Sequence, residues 1–248
     1  MLERPNLSAD KQALLAQRLR GVDRERSEAG TIPKRPHAGA APLSHPQRQM
    51  WLIDQIAPGN AAYNLSVGFR MKGRLDAGAL ENAFNAVVAR HEILRTTFAF
   101  RAGEPQQLIH PRLSIHLDET KFDHLPPDAR ESTAHALASE ISAQPFDLSH
   151  LPLLRVSLFA LDDDEHVLVV NIHHIVADGL SIALLLREVD AHYLGPQSVA
   201  ARPDERLQYA DFATWWRSIR IPPGTSRGRN AGSRRSRPRL VPRATRWM

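Results

Sequence analysis

The sequence predicts an α/β fold, a mixed α+β sheet with flanking helices, on three observations. Leu65, Val67, Phe69 and Met71 alternate with Ser66, Gly68 and Arg70, the period of a half-buried strand. His166-Val-Leu-Val-Val-Asn-Ile172 is instead a short, mostly apolar run, as expected of a strand covered on both faces. Between such runs lie stretches of helical period, clearest at Leu80, Phe84, Val87 and Val88.

Each element has its own signals. Residues 7–20 read as a short helix with Ser8 as N-cap and a stripe of Leu14, Leu15 and Leu19; 1–20 is assigned to that helix and 21–41, polar and rich in charge, to a linker. The folded part is expected over 42–220. Ser44-His-Pro-Gln47 has the spacing of a capping box, with Pro46 tolerated in the first turn. The helix it opens carries Met50, Trp51, Ile53 and Ile56 and stops before Pro58-Gly59. Asp76 caps the next helix, which runs to about His91. Leu94–Phe100 and Gln106–His110 flank Ala102-Gly-Glu-Pro105 as a hairpin, and Leu113–Leu117 alternates as a further strand. Pro127–Ser142 reads as a helix, with Pro early and an acid in its first turn. Leu153–Phe159 and His166–Ile172 are strands joined through Asp162-Asp-Asp164. From Ser181 to Tyr193 a helix begins apolar nearly all round (Ile182, Leu184, Leu185, Leu186), which predicts its burial. Tyr209–Ser218 is a final amphipathic helix. Residues 221–248 have no apolar period and are assigned to a disordered Arg/Pro/Gly-rich tail; the abrupt shift also fits a slipped reading frame.

Composition narrows the function. There is no cysteine, which removes disulfides, thiolate metal sites and cysteine nucleophiles. The net charge is +5, but the eight arginines of 221–248 leave 1–220 at −3, so the basic character belongs to the tail and nucleic acid is not expected as a partner of the folded part. No run approaches the ~18 apolar residues of a membrane span, and the N-terminus lacks the pattern of a signal peptide, so a cytoplasmic protein is expected.

The chemistry concentrates in NIHHIVADGLS, Asn171 to Ser181, at the end of the doubly covered strand. Adjacent strand residues point to opposite faces, so His173 and His174 cannot easily share a metal, and no acidic ligand set lies nearby. Either both are core histidines with satisfied hydrogen bonds, or one packs inside while the other faces a cavity. Gly179 allows a close approach of backbone before the helix, and its N–H, near a helix N-terminus, is placed to meet a developing oxyanion. Asp178 is either an N-cap or a buried carboxylate that needs an arginine partner.

With these residues in view the chain resembles the condensation domains of nonribosomal peptide synthetases. HHIVADG matches that family's HHxxxDG at every fixed position, whereas the wider superfamily that includes chloramphenicol acetyltransferase shares only HxxxDG. RHEILRTTF, Arg90 to Phe98, is similar to RHExLRTxF; SHPQRQMW, Ser44 to Trp51, to SxAQxRLW, with Pro46 and Gln49 departing from it; and YADFATWWR, Tyr209 to Arg217, to YxDFAxWQ. Together they cover about 42–220.

The resemblance implies a chloramphenicol acetyltransferase-like first lobe with the second lobe absent. It implies peptide-bond formation, in which an acyl group passes from a carrier-bound thioester to the amine of a carrier-bound aminoacyl acceptor. It makes His174 the catalytic residue, as general base or as the group that orients the amine, and His173 structural. It pairs Asp178 with Arg95 behind the loop and offers the Gly179 N–H to the oxyanion. No cofactor is expected on this chain: the phosphopantetheine arms belong to partner carrier domains. A lobe without its companion is expected to be nearly inactive and to expose an apolar face. The alternatives are a catalytically silent fragment or binding module, or another HHxxxDG acyltransferase.

Overall fold

Ser44 opens the helix His45–Ile56 as the capping box requires: its hydroxyl accepts from the Gln47 N–H and its own N–H donates to Gln47 Oε1. The structure, a computed structural model, describes residues 32–195 and 207–218. The expected helix over 7–20 and the tail over 221–248 lie outside the described residues. In chain order the elements are β1 (Ala40–Pro42), α1 (His45–Ile56), β2 (Asn64–Lys72), α2 (Ala77–Arg90), β3 (Thr96–Arg101), β4 (Glu104–Ile109), β5 (Leu117–Lys121), α3 (Pro127–Ala143), β6 (Leu154–Asp162), β7 (Glu165–His173), α4 (Gly179–Tyr193) and α5 (Tyr209–Ser218).

The strands form two sheets. A four-stranded sheet has the order β2-β7-β6-β5, antiparallel except for the parallel pair β5–β6, and β1-β4-β3 form a three-stranded antiparallel sheet. The mixed α/β class is therefore as the sequence predicts. β7 is central in the larger sheet and is covered on both faces. Leu168, Val170 and Ile172 join one core with Leu80, Phe84, Val87 and Val88 of α2, while Val167 and Val169 meet Phe122, Ala134 and Phe159 on the other side. β3 and β4 are joined by Ala102 and Gly103, both with positive φ, the twist that a two-residue hairpin needs.

Four expectations are corrected. The strand expected at Leu113–Leu117 is not one: the ladder runs from Leu117 to Lys121, beside β6. Residues 113–116 are extended and half-buried in alternation because α2 side chains hold them. Asn85 bonds both the N–H and the carbonyl of Ile115, and Glu81 accepts from the Leu117 N–H. The hairpin strand begins at Thr96, since Glu92–Arg95 form a 3-10 turn. The linker expected to reach residue 41 ends earlier. β1 pairs with β4 from Ala40, and Arg35 is buried between Glu92, at 2.6 Å, and Asp211, at 3.0 Å. Finally, α4 is not buried all round. Ile182, Leu185 and Val189 enter the core, but Leu180 is 71% exposed and Leu184 50%. On α1, Leu52, Ile53 and Ile56 are exposed as well.

Candidate functional site

β7 delivers the two histidines, and its last residue ends the ladder. His173 is 2% exposed, and its Nδ1 accepts the Ile175 N–H at 3.1 Å. Phe146 meets the ring edge-on and Tyr63 lies on another side. Burial, and then the neighbouring His174, push its pKa down from 6.5 to about 4, so the ring is neutral at pH 7.

His174 begins the turn that follows, half-buried, with its N–H on the Tyr63 carbonyl at 2.8 Å. Its Nδ1 lies 2.9 Å from the Ala177 carbonyl. A carbonyl oxygen only accepts, so Nδ1 carries the proton and Nε2 holds the free lone pair. His174 lines an open cleft of about 610 Å³. α4 supplies one side of it through Ser181, Leu184, Leu185 and Glu188, the spacing of a single helical face. Val87 of α2, His91 just after that helix, Met50 of α1 and Tyr209 of α5 complete the lining. His91 Nε2 and Glu188 Oε2 are 2.8 Å apart at the far end of that α4 face.

Asp178 takes the N-cap alternative. Its Oδ1 accepts from the Ser181 N–H at 2.7 Å and the Ser181 hydroxyl at 2.6 Å. The hydroxyl, then the amide, hold its carboxyl below the ordinary carboxylate range. The expected ion pair with Arg95 is not formed. Arg95 donates through Nη1 to the His110 carbonyl, and its Nε is buried without a partner. The reason is local: the first turn of α4 has its own use for the carboxylate, and Arg95 is drawn to the end of β4 by its backbone bond with His110, at 3.0 Å. The steric reason expected for Gly179 is also absent. A Cβ there would meet nothing within 4 Å, and the backbone is not left-handed. Gly179 is the first residue of α4 and is exposed, so its N–H belongs to the first turn, beside the cleft that Asp178 and Ser181 line.

Sequence reasoning missed the groups that shape the loop. The carbonyls of Tyr63 and Ala177 are backbone atoms, which no residue type announces. Gln47 was legible as half of a capping box, but its carboxamide nitrogen also reaches the Ile175 carbonyl and Gln107, each at 3.3 Å. Ser44 and Tyr209 share a hydrogen bond of 2.8 Å, which ties α1 to α5 at the cleft. Among the described residues no group of three or more His, Asp or Glu is placed to hold a metal, and no helix is long and apolar enough to cross a membrane.

The Condensation domain family model matches residues 37–222. A linear gramicidin synthase of Brevibacillus parabrevis is 37% identical over 219 residues, 88% of this chain and 3% of that protein. Phosphinothricin tripeptide synthetase PhsC of Streptomyces viridochromogenes is 40% identical over 216 residues, 86% of this chain and 20% of that one. Among solved structures, a chain in the complex of the X-domain and OxyB from teicoplanin biosynthesis is 35% identical with a TM-score of 0.60, and the match covers 75% of this chain and 40% of that one. The first condensation domain of the CDA synthetase shares the fold at a TM-score of 0.65 and 23% identity, over 75% of this chain and 48% of that one. The chain thus spans a small part of the curated relatives and under half of the solved chains, a share that fits one lobe.

Proposed function

We propose a function from one premise: this chain belongs to the condensation-domain family. Its His174 cleft is one wall of a site for peptide-bond formation between two carrier-bound thioesters. The acceptor amine attacks the donor thioester carbonyl, the C–S bond breaks, and the donor arm leaves as its thiol. The proton lost by the amine passes to Nε2 of His174 and from there to the departing sulfur. An α-amine has a reference pKa of ~7.7–8.0, so part of it is already neutral near pH 7, and orienting it against the carbonyl supplies much of the rate. Gly179 offers its N–H to the tetrahedral oxyanion. The phosphopantetheine arms arrive on the carriers as part of the substrates, and adjacent synthetase domains are the partners.

The observation that supports this reading is His174 on the cleft lining, with its Nδ1 2.9 Å from the Ala177 carbonyl. The cleft is open, and Leu184 on its wall is half exposed, which supports a second wall supplied by further polypeptide and little turnover without it. A second reading, a binding role, is favoured by the likeness to a chain in the complex of the X-domain and OxyB.

The test mixes the full chain with the C-terminal half of a condensation domain from a relative, an acyl carrier and an aminoacyl carrier. Amide product is read by mass spectrometry. The mixture forms product, and His174→Ala lowers the rate about 100-fold or more at unchanged Tm, within the ~10²–10⁴ that a positioned base supplies. Equal rates with His174→Ala refute the role of the ring, and product from neither mixture leaves the binding reading.

A further inference from the structure

We propose that Gln47 is the positioning residue of the His174 loop, its carboxamide clamping the Ile175 carbonyl so that the imidazole keeps its Nδ1–H bond to Ala177. This rests on the reading of His174 as the working ring. Gln47 itself is 1% exposed and does not line the cleft.

The carboxamide has two donors and one oxygen, and each of the three is used. Oε1 accepts from the Ser44 N–H at 3.1 Å. Nε2 donates to Gln107 Oε1 and to the Ile175 carbonyl, both at 3.3 Å. Gln107 is fully buried and is itself fixed, donating to the Pro42 carbonyl at 2.8 Å. The clamp therefore runs from β1 and β4 through α1 to the residue that follows His174.

The capping role alone does not explain an amide. A capping box needs only an acceptor at this position, and a glutamate supplies one while also favouring the positive end of the helix. Two buried acceptors, Gln107 Oε1 and the Ile175 carbonyl, need two donors, and only the amide brings both along with the acceptor. Of the pair, the Ile175 carbonyl belongs to the loop. His174 through Ala177 is a single turn, closed by the Nδ1–Ala177 contact on one side and by a Val176 N–H to His173 carbonyl bond of 3.0 Å. The side chain of Gln47 pins the middle of that turn from the opposite direction. Release of the Ile175 carbonyl frees the turn to rotate, and the ring loses the contact that selects its tautomer.

The tautomer is the readout, because a merely stabilising residue leaves it alone. It is measured in the full chain by long-range ¹H–¹⁵N correlation within the His174 ring. The native ring is protonated at Nδ1. Gln47→Met removes all three bonds at nearly constant length, while Ser44→Ala breaks the cap and keeps the clamp. The expected result is a mixed tautomer in Gln47→Met and the native one in Ser44→Ala, at comparable losses of Tm. In the amide-forming mixture Gln47→Met lowers kcat about 10-fold or more with KM nearly unchanged, since a displacement of ~1 Å can cost ~100-fold. Native tautomer and native kcat in Gln47→Met overturn the proposal. If that variant does not fold, the native chain decides: both carboxamide protons of Gln47 exchange slowly and show cross-relaxation to Ile175, and fast exchange of both overturns it. Loss of activity in His174→Ala is independent of either result, so failure of the clamp and failure of the catalytic reading are told apart.

Discussion

Two adjacent histidines reach opposite fates within one residue. His173 is the last residue of β7 and is sealed among Tyr63 and Phe146; His174 opens the turn and lines the cleft. The family spacing of HHIVADG pointed to this division; strand alternation does not explain it, because β7 ends at His173 and His174 already belongs to the turn. What remained illegible was the tautomer, because it is set by a backbone carbonyl, and every residue has one. The same burial gives His173 a pH signature. Its pKa is about 4 in the folded chain against an ordinary 6.5, with desolvation the main cause. Between these values the unfolded chain binds a proton that the folded chain refuses. The stability of the neutral ring is complete above pH 6.5, falls as the pH drops, and is lost below about 4. The loss is about 3 kcal/mol at most. His173→Gln keeps an acceptor for the Ile175 N–H and cannot titrate. Thermal unfolding at pH 7 and pH 4.5 therefore shows a larger loss for the native chain than for the variant, and parallel losses would sink the assignment.

Elements whose signals are local match the structure; those decided by tertiary partners do not. The caps at Ser44 and Asp76 lie within three residues of what they bind, and both form. Leu113–Leu117 alternates like a strand, but Asn85 and Glu81 of α2 satisfy it in place of a ladder, and no pattern within the segment distinguishes the two. Helix α4 begins apolar nearly all round, yet only the stripe facing the core is covered. For Asp178 the sequence left two alternatives, and the family resemblance selected the wrong one for this chain: the carboxylate caps α4 and does not pair with Arg95. A double-mutant cycle separates the two. Asp178→Ala loses the cap and costs about 1 kcal/mol. Combined with Arg95→Met, the two changes add to within ~0.5 kcal/mol, as sites without a shared contact do. A coupling well above that, measured by denaturant unfolding, would restore the ion pair.

At the scale of the molecule the sequence reading failed where three distant segments meet. Residues 21–41 look like a linker because they are polar and lack an apolar period, and a periodicity argument has no means of seeing one buried arginine. Arg35 is only 8% exposed in its side chain. It reaches Glu92 in the turn after α2, and Asp211, 4% exposed, in α5. Its own backbone N–H also donates to Asp211 at 3.1 Å. Gln208 completes the junction: its Oε1 accepts from the Glu92 N–H, its Nε2 donates to the Arg90 carbonyl, and its own N–H donates to the Asp211 carboxylate. The N-terminal strap thus holds α5, whose Tyr209 lines the cleft. Removal of one member of such a buried set strands the others. Arg35→Ala leaves the Asp211 charge without its guanidinium, and the expected cost is about 3–5 kcal/mol. For a chain of this size that is a fall in Tm of roughly 6–20 °C. A chain that starts at residue 42 loses a similar amount relative to one that starts at residue 32, because it lacks the same cation and β1 besides. Differential scanning calorimetry of the point variant and the two truncations checks both. An unchanged Tm in Arg35→Ala would mean that the Arg35 junction does not hold α5, and that the Ser44–Tyr209 contact and the apolar face of α5 keep it at the cleft.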